Sequence, residues 1–482
     1  MTTFSNFSNV SLLTRTLSGN YKVAKSHRKS YANLRKITLI IKQYSYLAAK
    51  KGFGPGEQEW GYVKVRSTAH MFWWLYFTTA NVSSYYEKPL VIWLQGGPGA
   101  SSTSYGNFEE LGPLDIDLKP RNFTWVKNYN VLFIDNPVGT GFSYITTQAG
   151  YTTTNTEIAN DLLECVKGFL KQLPAFSNVP TYITTESYGG KMGAEFALSW
   201  YRAQQKGTIK SNLKGVALGD AWISPIDSVM TWAPFLLATG MVDTAGYEKI
   251  NEAAVKTKNA VDTKQWATAT RLWSYTEGVI AQVTNNIDFY NILTKMEPGN
   301  KVSLMERLKS EPTFAQEYSV FSDASLDKLM NGPVKEALQL SSRHGAQSNL
   351  VFSKLTGDFM KPVVNIVESL LNETNLKVAV ISGHMDLIVD TPGTLRWVEK
   401  MQWKNANSWH RSARTALVVK GIIEGYVKSY GNFSMYWINR AGHMVNNLFN
   451  HIPFVLFKNH FVVKVPKDNP AAMAWILNKF TS

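Results

Sequence analysis

Cysteine is nearly missing from this 482-residue chain: Cys165 is its one thiol, so no disulfide can form within it. Taken alone, that points to a reducing compartment. Cys165 lies in residues 159–173, whose apolar positions recur at helical spacing, and no histidine stands near it in sequence. A buried structural thiol is expected there rather than a nucleophile. Acid is missing from the chain until Glu57, and ten Lys and Arg precede that residue. The formal charge of +14 is therefore mostly local, and the remaining chain has an ordinary enzyme balance. No recognition motif accompanies the basic total, so it does not imply nucleic-acid binding. No stretch is long and apolar enough for a membrane span. Internal repeats and low-complexity blocks are also lacking.

Hydrophobic residues make up 44%, enough for a substantial core, and 15 Trp with 22 Tyr supply aromatic grooves besides. The length suits one large α/β domain with an insertion, or two to three ordinary domains. Residues 1–51, rich in Ser, Arg and Lys, resemble a transit peptide. A wrong start in a gene model is the preferred account of this basic, non-core extension. Sequons at Asn81, Asn122, Asn372 and Asn432 fit secretory passage.

The breaker cluster Lys51-Gly52-Phe53-Gly54-Pro55-Gly56 marks a boundary. After it, residues 60–66 and 69–78 alternate as strands do. Short, nearly continuous apolar runs at 89–94, 131–134, 216–218, 378–381 and 434–438 predict strands buried on both faces of a mainly parallel sheet. Helical patterns at 156–173, 191–204 and 391–400 lie between them, which predicts a doubly wound α/β fold. Residues 224–347 change character: helices are expected at 245–258, 262–286 and 302–309, forming a largely helical lid inserted between core segments 52–223 and 348–482. An independent helical domain is the alternative.

The strand-like run Thr181-Tyr182-Ile183-Thr184 leads through Thr185-Glu186-Ser187-Tyr188-Gly189-Gly190 into a helical pattern. A serine on such a turn has the geometry of a nucleophile elbow, although Thr185 stands where G-x-S-x-G has its first glycine. Acyl transfer by serine also needs a base, an orienter for that base and donors for the oxyanion. In α/β hydrolases the chain order is Ser, Asp, His. Ser187, Asp386 and His443 meet that order, the last two just past predicted strands, where open α/β sheets place catalytic groups. Asp390 and His384 are nearby rivals. Gln95-Gly96-Gly97-Pro98-Gly99 follows another strand and can bring backbone N–H groups close to a ligand. A phosphate loop is excluded there, because no Lys-Ser/Thr follows at the required spacing.

Five segments, in order, carry a resemblance: Gln95-Gly96-Gly97-Pro98-Gly99, Glu110-Leu111-Gly112-Pro113, Asp135-Asn136-Pro137-Val138-Gly139-Thr140-Gly141, Glu186-Ser187-Tyr188 and Ala441-Gly442-His443-Met444-Val445. Together they resemble the serine carboxypeptidase family, and Glu-Ser-Tyr-Gly-Gly-Lys-Met without a leading glycine resembles its retinoid-inducible branch. The resemblance implies an α/β-hydrolase fold with a mixed, mostly parallel sheet. It also implies Ser187 as nucleophile, His443 as base, Asp386 as orienter and the amides of Gly97 and Tyr188 as the oxyanion hole. Gln95, Gly96, Glu110 and Glu186 would hold the substrate's terminal carboxylate, Gln95 replacing the family's usual Asn and His384 its usual Asp. Clustered carboxyl groups bind a carboxylate when a pair shares a proton, which favours acidic working pH. Peptide or protein C-termini would be the substrate, in a secreted or lysosomal setting, and no cofactor or metal is expected. An acyltransferase using the same triad, or a non-catalytic binding protein, are the alternatives.

After His443-Met444-Val445 the family continues with proline. Here the continuation Val465-Pro466-Lys467-Asp468-Asn469-Pro470 comes 20 residues late. Removing residues 445–464 restores the family pattern. The removed piece begins with a Val codon, hence with GT, and ends with a Lys codon, which can end in AG. Those are intron ends. A retained intron is therefore expected, with a real surface insertion as the alternative. The chain as written is expected to have little activity, since the segment intrudes two residues after the base.

Overall fold

Two alternating strands set the two faces of a sheet. In β2 (Ala69–Tyr76), Met71, Trp73 and Leu75 join one core cluster while Phe72, Trp74 and Tyr76 join the other. It pairs antiparallel with β1 (Gln58–Arg66). This computed structural model describes residues 52–295, 324–444 and 469–482. The basic extension 1–51, the helix expected at 302–309 and the segment 445–464 lie outside the described residues.

The remaining strands are β3 (Leu90–Leu94), β4 (Asn130–Ile134), β5 (Tyr144–Ile145), β6 (Thr181–Glu186), β7 (Leu213–Gly219), β8 (Lys377–Gly383), β9 (Arg414–Val419), β10 (Ile422–Tyr430) and β11 (Phe433–Ile438). They form a mixed sheet in the order β1-β2-β4-β3-β6-β7-β8-β11-β10-β9, with β5 on β2. The block from β4 to β11 is parallel throughout. Its inner strands β3 and β4 are buried at every position, which is why they read as unbroken apolar runs.

Helices cover both faces. Along α1 (Asn155–Gln172), Ile158, Leu162, Cys165, Val166 and Phe169 are buried, so Cys165 is the core thiol its spacing implies. Arg66 of β1 grips the buried Asp161 of α1 through Nε and Nη2, at 2.7 and 2.9 Å. α2 (Tyr188–Gln205) follows β6 directly. Helices α3 (Pro225–Ala238), α4 (Thr244–Asp262) and α5 (Trp266–Thr284) form the helical stretch expected after residue 224. After it come α6 (Thr356–Phe359), α7 (Val364–Glu373) and α8 (Thr391–Lys400). Last, α9 (Pro470–Thr481) buries Met473, Ile476, Leu477 and Phe480.

Two local expectations need correcting. The helix expected over 262–286 begins later, at Trp266: Lys264 takes φ +58, and its N–H closes on the Val261 carbonyl. That left-handed residue ends α4 and turns the chain, so that α4 and α5 pack together and the hydroxyls of Thr257 and Thr276 meet at 3.1 Å. The β9–β10 hairpin was not anticipated either. Its turn uses positive φ at both Lys420 and Gly421, as a tight hairpin requires. Val418, Ile422 and Ile423 are exposed there, so the hairpin lacks the in-out alternation that marks a half-buried strand.

Candidate active site

Four parallel strands deliver the site from their C-terminal ends. β6 ends at Glu186, and Ser187 makes the turn into α2 with φ +60 and ψ −130, a strained conformation for a residue with a side chain. The turn is held from three sides. The Ser187 N–H donates to the Gly219 carbonyl at 3.0 Å, and the Ser187 carbonyl accepts from Gly190 and Trp222, each at 2.9 Å. Space is just as tight. A Cβ on Gly189 would lie 2.4 Å from the Leu94 carbonyl oxygen, and one on Gly190 would lie 2.3 Å from Ala221 Cβ.

Thr185 is explained by a glycine elsewhere. Its hydroxyl donates to the Ala217 carbonyl at 3.1 Å, and its methyl fills the space over Gly193, where a Cβ would come within 2.4 Å. The glycine missing before Ser187 is thus replaced by one in the second turn of α2. Gly193 was not singled out in the sequence, because nothing local connects it with Thr185.

β3 ends beside the elbow. A Cβ on Gly96 would sit 2.6 Å from Ser187 Cβ and 2.9 Å from the Tyr188 nitrogen, so this loop lies against the serine and the first amide of α2. Gly97 takes φ +107, a conformation suited to glycine, as the loop turns away. The Tyr188 N–H is at a helix start, where amides have no intrahelical acceptor and face a positive dipole end.

β8 and β11 supply the acid and the imidazole. Asp386 Oδ2 and His443 Nδ1 are 2.7 Å apart, and both residues are buried. Asp386 Oδ1 also accepts the Val389 N–H at 3.1 Å. An Nδ1–H directed at the carboxylate leaves Nε2 as the free acceptor of the ring. The backbone around this pair is knitted: Met385 N–H donates to the Ala441 carbonyl and His443 N–H to the Tyr290 carbonyl, both at 2.7 Å. The Tyr290 ring also stands edge-on to the imidazole, centroids 5.2 Å apart. Tyr290, in the loop after α5, gave no signal in the sequence. Among the described residues the Ser187 hydroxyl makes no hydrogen bond.

The rivals fall away on geometry. His384 is exposed, while its N–H serves the Ile438 carbonyl. Asp390 is buried at the start of α8, and burial, reinforced by Asp386, pushes its pKa well above the usual carboxyl range. It is Asp386 that touches the imidazole.

Gln95, Glu110 and Glu186 form one buried cluster. Gln95 Nε2 donates to Glu110 Oε1 at 2.8 Å and to Glu186 Oε1 at 2.9 Å, while its Oε1 accepts from Trp93 Nε1 at 2.7 Å. Burial, with Glu110 next to it, raises the Glu186 pKa well above the ordinary value. Burial raises Glu110 too, but hydrogen bonds from Glu186 and Gln95 pull it back. Both buried carboxyl groups are thus pushed toward the protonated form, which favours a proton shared between them. Both amide hydrogens of Gln95 are consumed inside the cluster, so it organises the two carboxyl groups and has no donor left over. Trp93, which fixes the amide's orientation, was not recognised in the sequence. A mostly apolar cavity lined by Trp93, Glu186, Asp220, His443, Met473 and Phe480 lies beneath the site.

The family model for serine carboxypeptidases matches residues 50–461. The retinoid-inducible serine carboxypeptidase of Mus musculus is 44% identical over 399 residues, covering 81% of this chain and 88% of that protein. The serine carboxypeptidase-like 51 protein of Arabidopsis thaliana is 38% identical, covering 81% and 89%. Among solved structures, the prohormone-processing carboxypeptidase Kex1(delta)p of Saccharomyces cerevisiae superposes with a TM-score of 0.67 at 21% identity, covering 81% of this chain and 88% of that one, a likeness of fold.

Proposed function

The chain belongs to the serine carboxypeptidase family and is a serine-type carboxypeptidase, and from that premise we propose that it releases C-terminal residues through an acyl-enzyme on Ser187. His443 takes the serine proton as the hydroxyl attacks the scissile carbonyl, and later gives it to the departing amino acid. Asp386 holds the imidazole tautomer and stabilises the cation that forms. The amides of Gly97 and Tyr188 receive the oxyanion. Water then repeats the cycle on the acyl-enzyme. Residues 224–347 act as the lid over this edge of the sheet.

The observation that carries this assignment is the buried Gln95–Glu110–Glu186 cluster, which adjoins the elbow through Glu186. A general esterase has no use for a protonated carboxyl pair in that position. A substrate carboxylate can accept a proton held there, with the Gly96 backbone as a neighbouring contact. The raised pKa of Glu186 favours work at acidic pH, and so a secreted or lysosomal setting.

The test compares an N-blocked dipeptide with its C-terminal amide, using the full chain and, in parallel, the chain without residues 445–464. Hydrolysis of the free acid well above that of the amide, with a fluorophosphonate attached to Ser187, is expected in the shortened chain. Ester formation from an activated acyl donor, with little peptide hydrolysis, would instead make it an acyltransferase. No labelling of Ser187 in either form would leave a binding protein.

A further inference from the structure

Lys191 is the most deeply buried ammonium among the described residues, with its side chain fully hidden, and the reaction just described makes no use of it. It lies in the first turn of α2, four residues after Ser187. Its Nζ meets Asp358 Oδ2 at 2.7 Å, the Lys361 carbonyl at 2.9 Å and the Asp358 carbonyl. The three protons of the ammonium thus have three acceptors, all on residues 358–361. Burial draws its pKa down to about 8, and Asp358 opposes that shift, so the group is charged at acidic pH.

The same carboxylate holds a second residue. Tyr188 Oη donates to Asp358 Oδ2 at 3.1 Å, and the Tyr188 ring stacks on Phe359 with centroids 5.8 Å apart and planes 5° from parallel. Tyr188 is fully buried, and Lys191 Nζ stands 5.3 Å from its ring centroid. The side chain of the residue whose amide begins α2 is therefore fixed by α6 and by Lys191. α6 is in turn tied to the helical stretch, where Thr270 of α5 donates to the Thr356 carbonyl at 2.8 Å, and to the loop after β7, where Trp222 Nε1 donates to the Phe359 carbonyl at 3.2 Å.

We propose that the Lys191–Asp358 pair is a positioning device, which sets the Tyr188 amide for the oxyanion by clamping the Tyr188 side chain to residues 356–361. This rests on the reading of Tyr188 as an oxyanion donor. An apolar core would hold a helix start as firmly, and buried ion pairs are weak contributors to stability. What the pair adds is a fixed place for one phenol, and through it for one backbone N–H.

Lys191→Met together with Asp358→Asn removes both charges while keeping the volume and an acceptor for Tyr188. Removing an oxyanion donor costs about 10²–10³ in kcat, and a displaced donor should cost about tenfold to a hundredfold. In the full chain and in the chain without residues 445–464, the double variant is expected to melt near the parent temperature. Its kcat and its fluorophosphonate rate at Ser187 should fall together by that factor, with KM within about threefold. A purely structural pair would leave kcat unmoved in a folded variant, and that result would overturn the proposal. Should the double variant not fold, Tyr188→Phe, which keeps the stack and loses the bond to Asp358, decides. A severalfold loss in kcat at constant KM supports the clamp, and parent-like kcat overturns it. A parent protein in which Ser187 reacts with no fluorophosphonate in either form would sink the functional reading itself, and this inference with it.

Discussion

A carboxyl group can hold a substrate carboxylate only while it keeps its own proton. Burial, and then Glu110, raise the Glu186 pKa well above the ordinary 4.5, which favours the protonated form that the proposed grip on the substrate needs. As pH rises through that raised value the proton leaves, and the site turns from donor to anion. KM for a peptide with a free C-terminus should therefore rise with pH, while the amidated peptide, poorly bound throughout, shows no such rise. Glu186→Gln keeps a neutral donor at every pH, so KM is expected near the parent value in acid and flat above it. A KM profile that this change leaves unaltered would count against the shared proton. Stability follows the same sign. A group with a raised native pKa contributes fully below its unfolded value and loses that contribution as pH rises through the native one. The urea midpoint of Glu186→Gln should therefore fall less from acid to neutral pH than that of the parent. Gln95 belongs to the same cluster. Gln95→Leu would leave Trp93 Nε1 and both carboxyl groups without their partner, costing about 1–3 kcal/mol for each buried group left unsatisfied and raising KM more than it lowers kcat.

At the scale of elements, β6 and α2 meet through one exchanged glycine. Gly193→Ala would drive a methyl into Thr185 Cγ2 and cost about 1–3 kcal/mol as overpacking. Thr185→Gly removes the obstructing methyl at the cost of the bond to the Ala217 carbonyl. The double change Thr185→Gly with Gly193→Ala is then expected to recover much of the loss, a coupling measurable as a double-mutant cycle in urea. Additive costs would show that the two positions do not share that space. The sequence revealed the elbow because strand, turn and helix are consecutive there. It placed the strand ends bearing Asp386 and His443 for the same reason: apolar runs buried on both faces are local patterns. It was silent on Trp93 with Gln95, Tyr290 with His443, Gly193 with Thr185, and Lys191 with Asp358. The second and the last join segments far apart in sequence, to partners that periodicity alone gives no reason to choose. The β9–β10 hairpin was hidden for another reason, since its exposed Val418, Ile422 and Ile423 break the alternation that burial would impose.

For the whole molecule, the decisive feature is how the chain leaves β11 and returns as α9. Asn469 caps α9 by accepting the Ala472 N–H at 3.1 Å, and its Nδ2 lies 3.5 Å from the Asn439 carbonyl oxygen. Asn439 follows β11 directly and stands four residues before His443. Departure and return are thus neighbours, and a short connection suffices. Residues 439–469 make that connection 31 residues long, and excising 445–464 would leave eleven. Chain entropy distinguishes the two only weakly: (3/2)RT ln n gives about 0.9 kcal/mol for that shortening. Stability should therefore move little on excision, a rise of a few degrees in melting temperature at most. Activity is another matter, because His443 must come within hydrogen-bond reach of Ser187 to take its proton, and a displacement of about 1 Å can cost about a hundredfold. The excised chain is expected to hydrolyse the N-blocked dipeptide at least about a hundredfold faster than the full chain, at nearly equal melting temperature. Transcript sequencing across the junction should find the shorter form. Equal activity of the two proteins would make residues 445–464 a tolerated surface insertion, with the base held by Asp386, Tyr290 and the Ala441 turn alone.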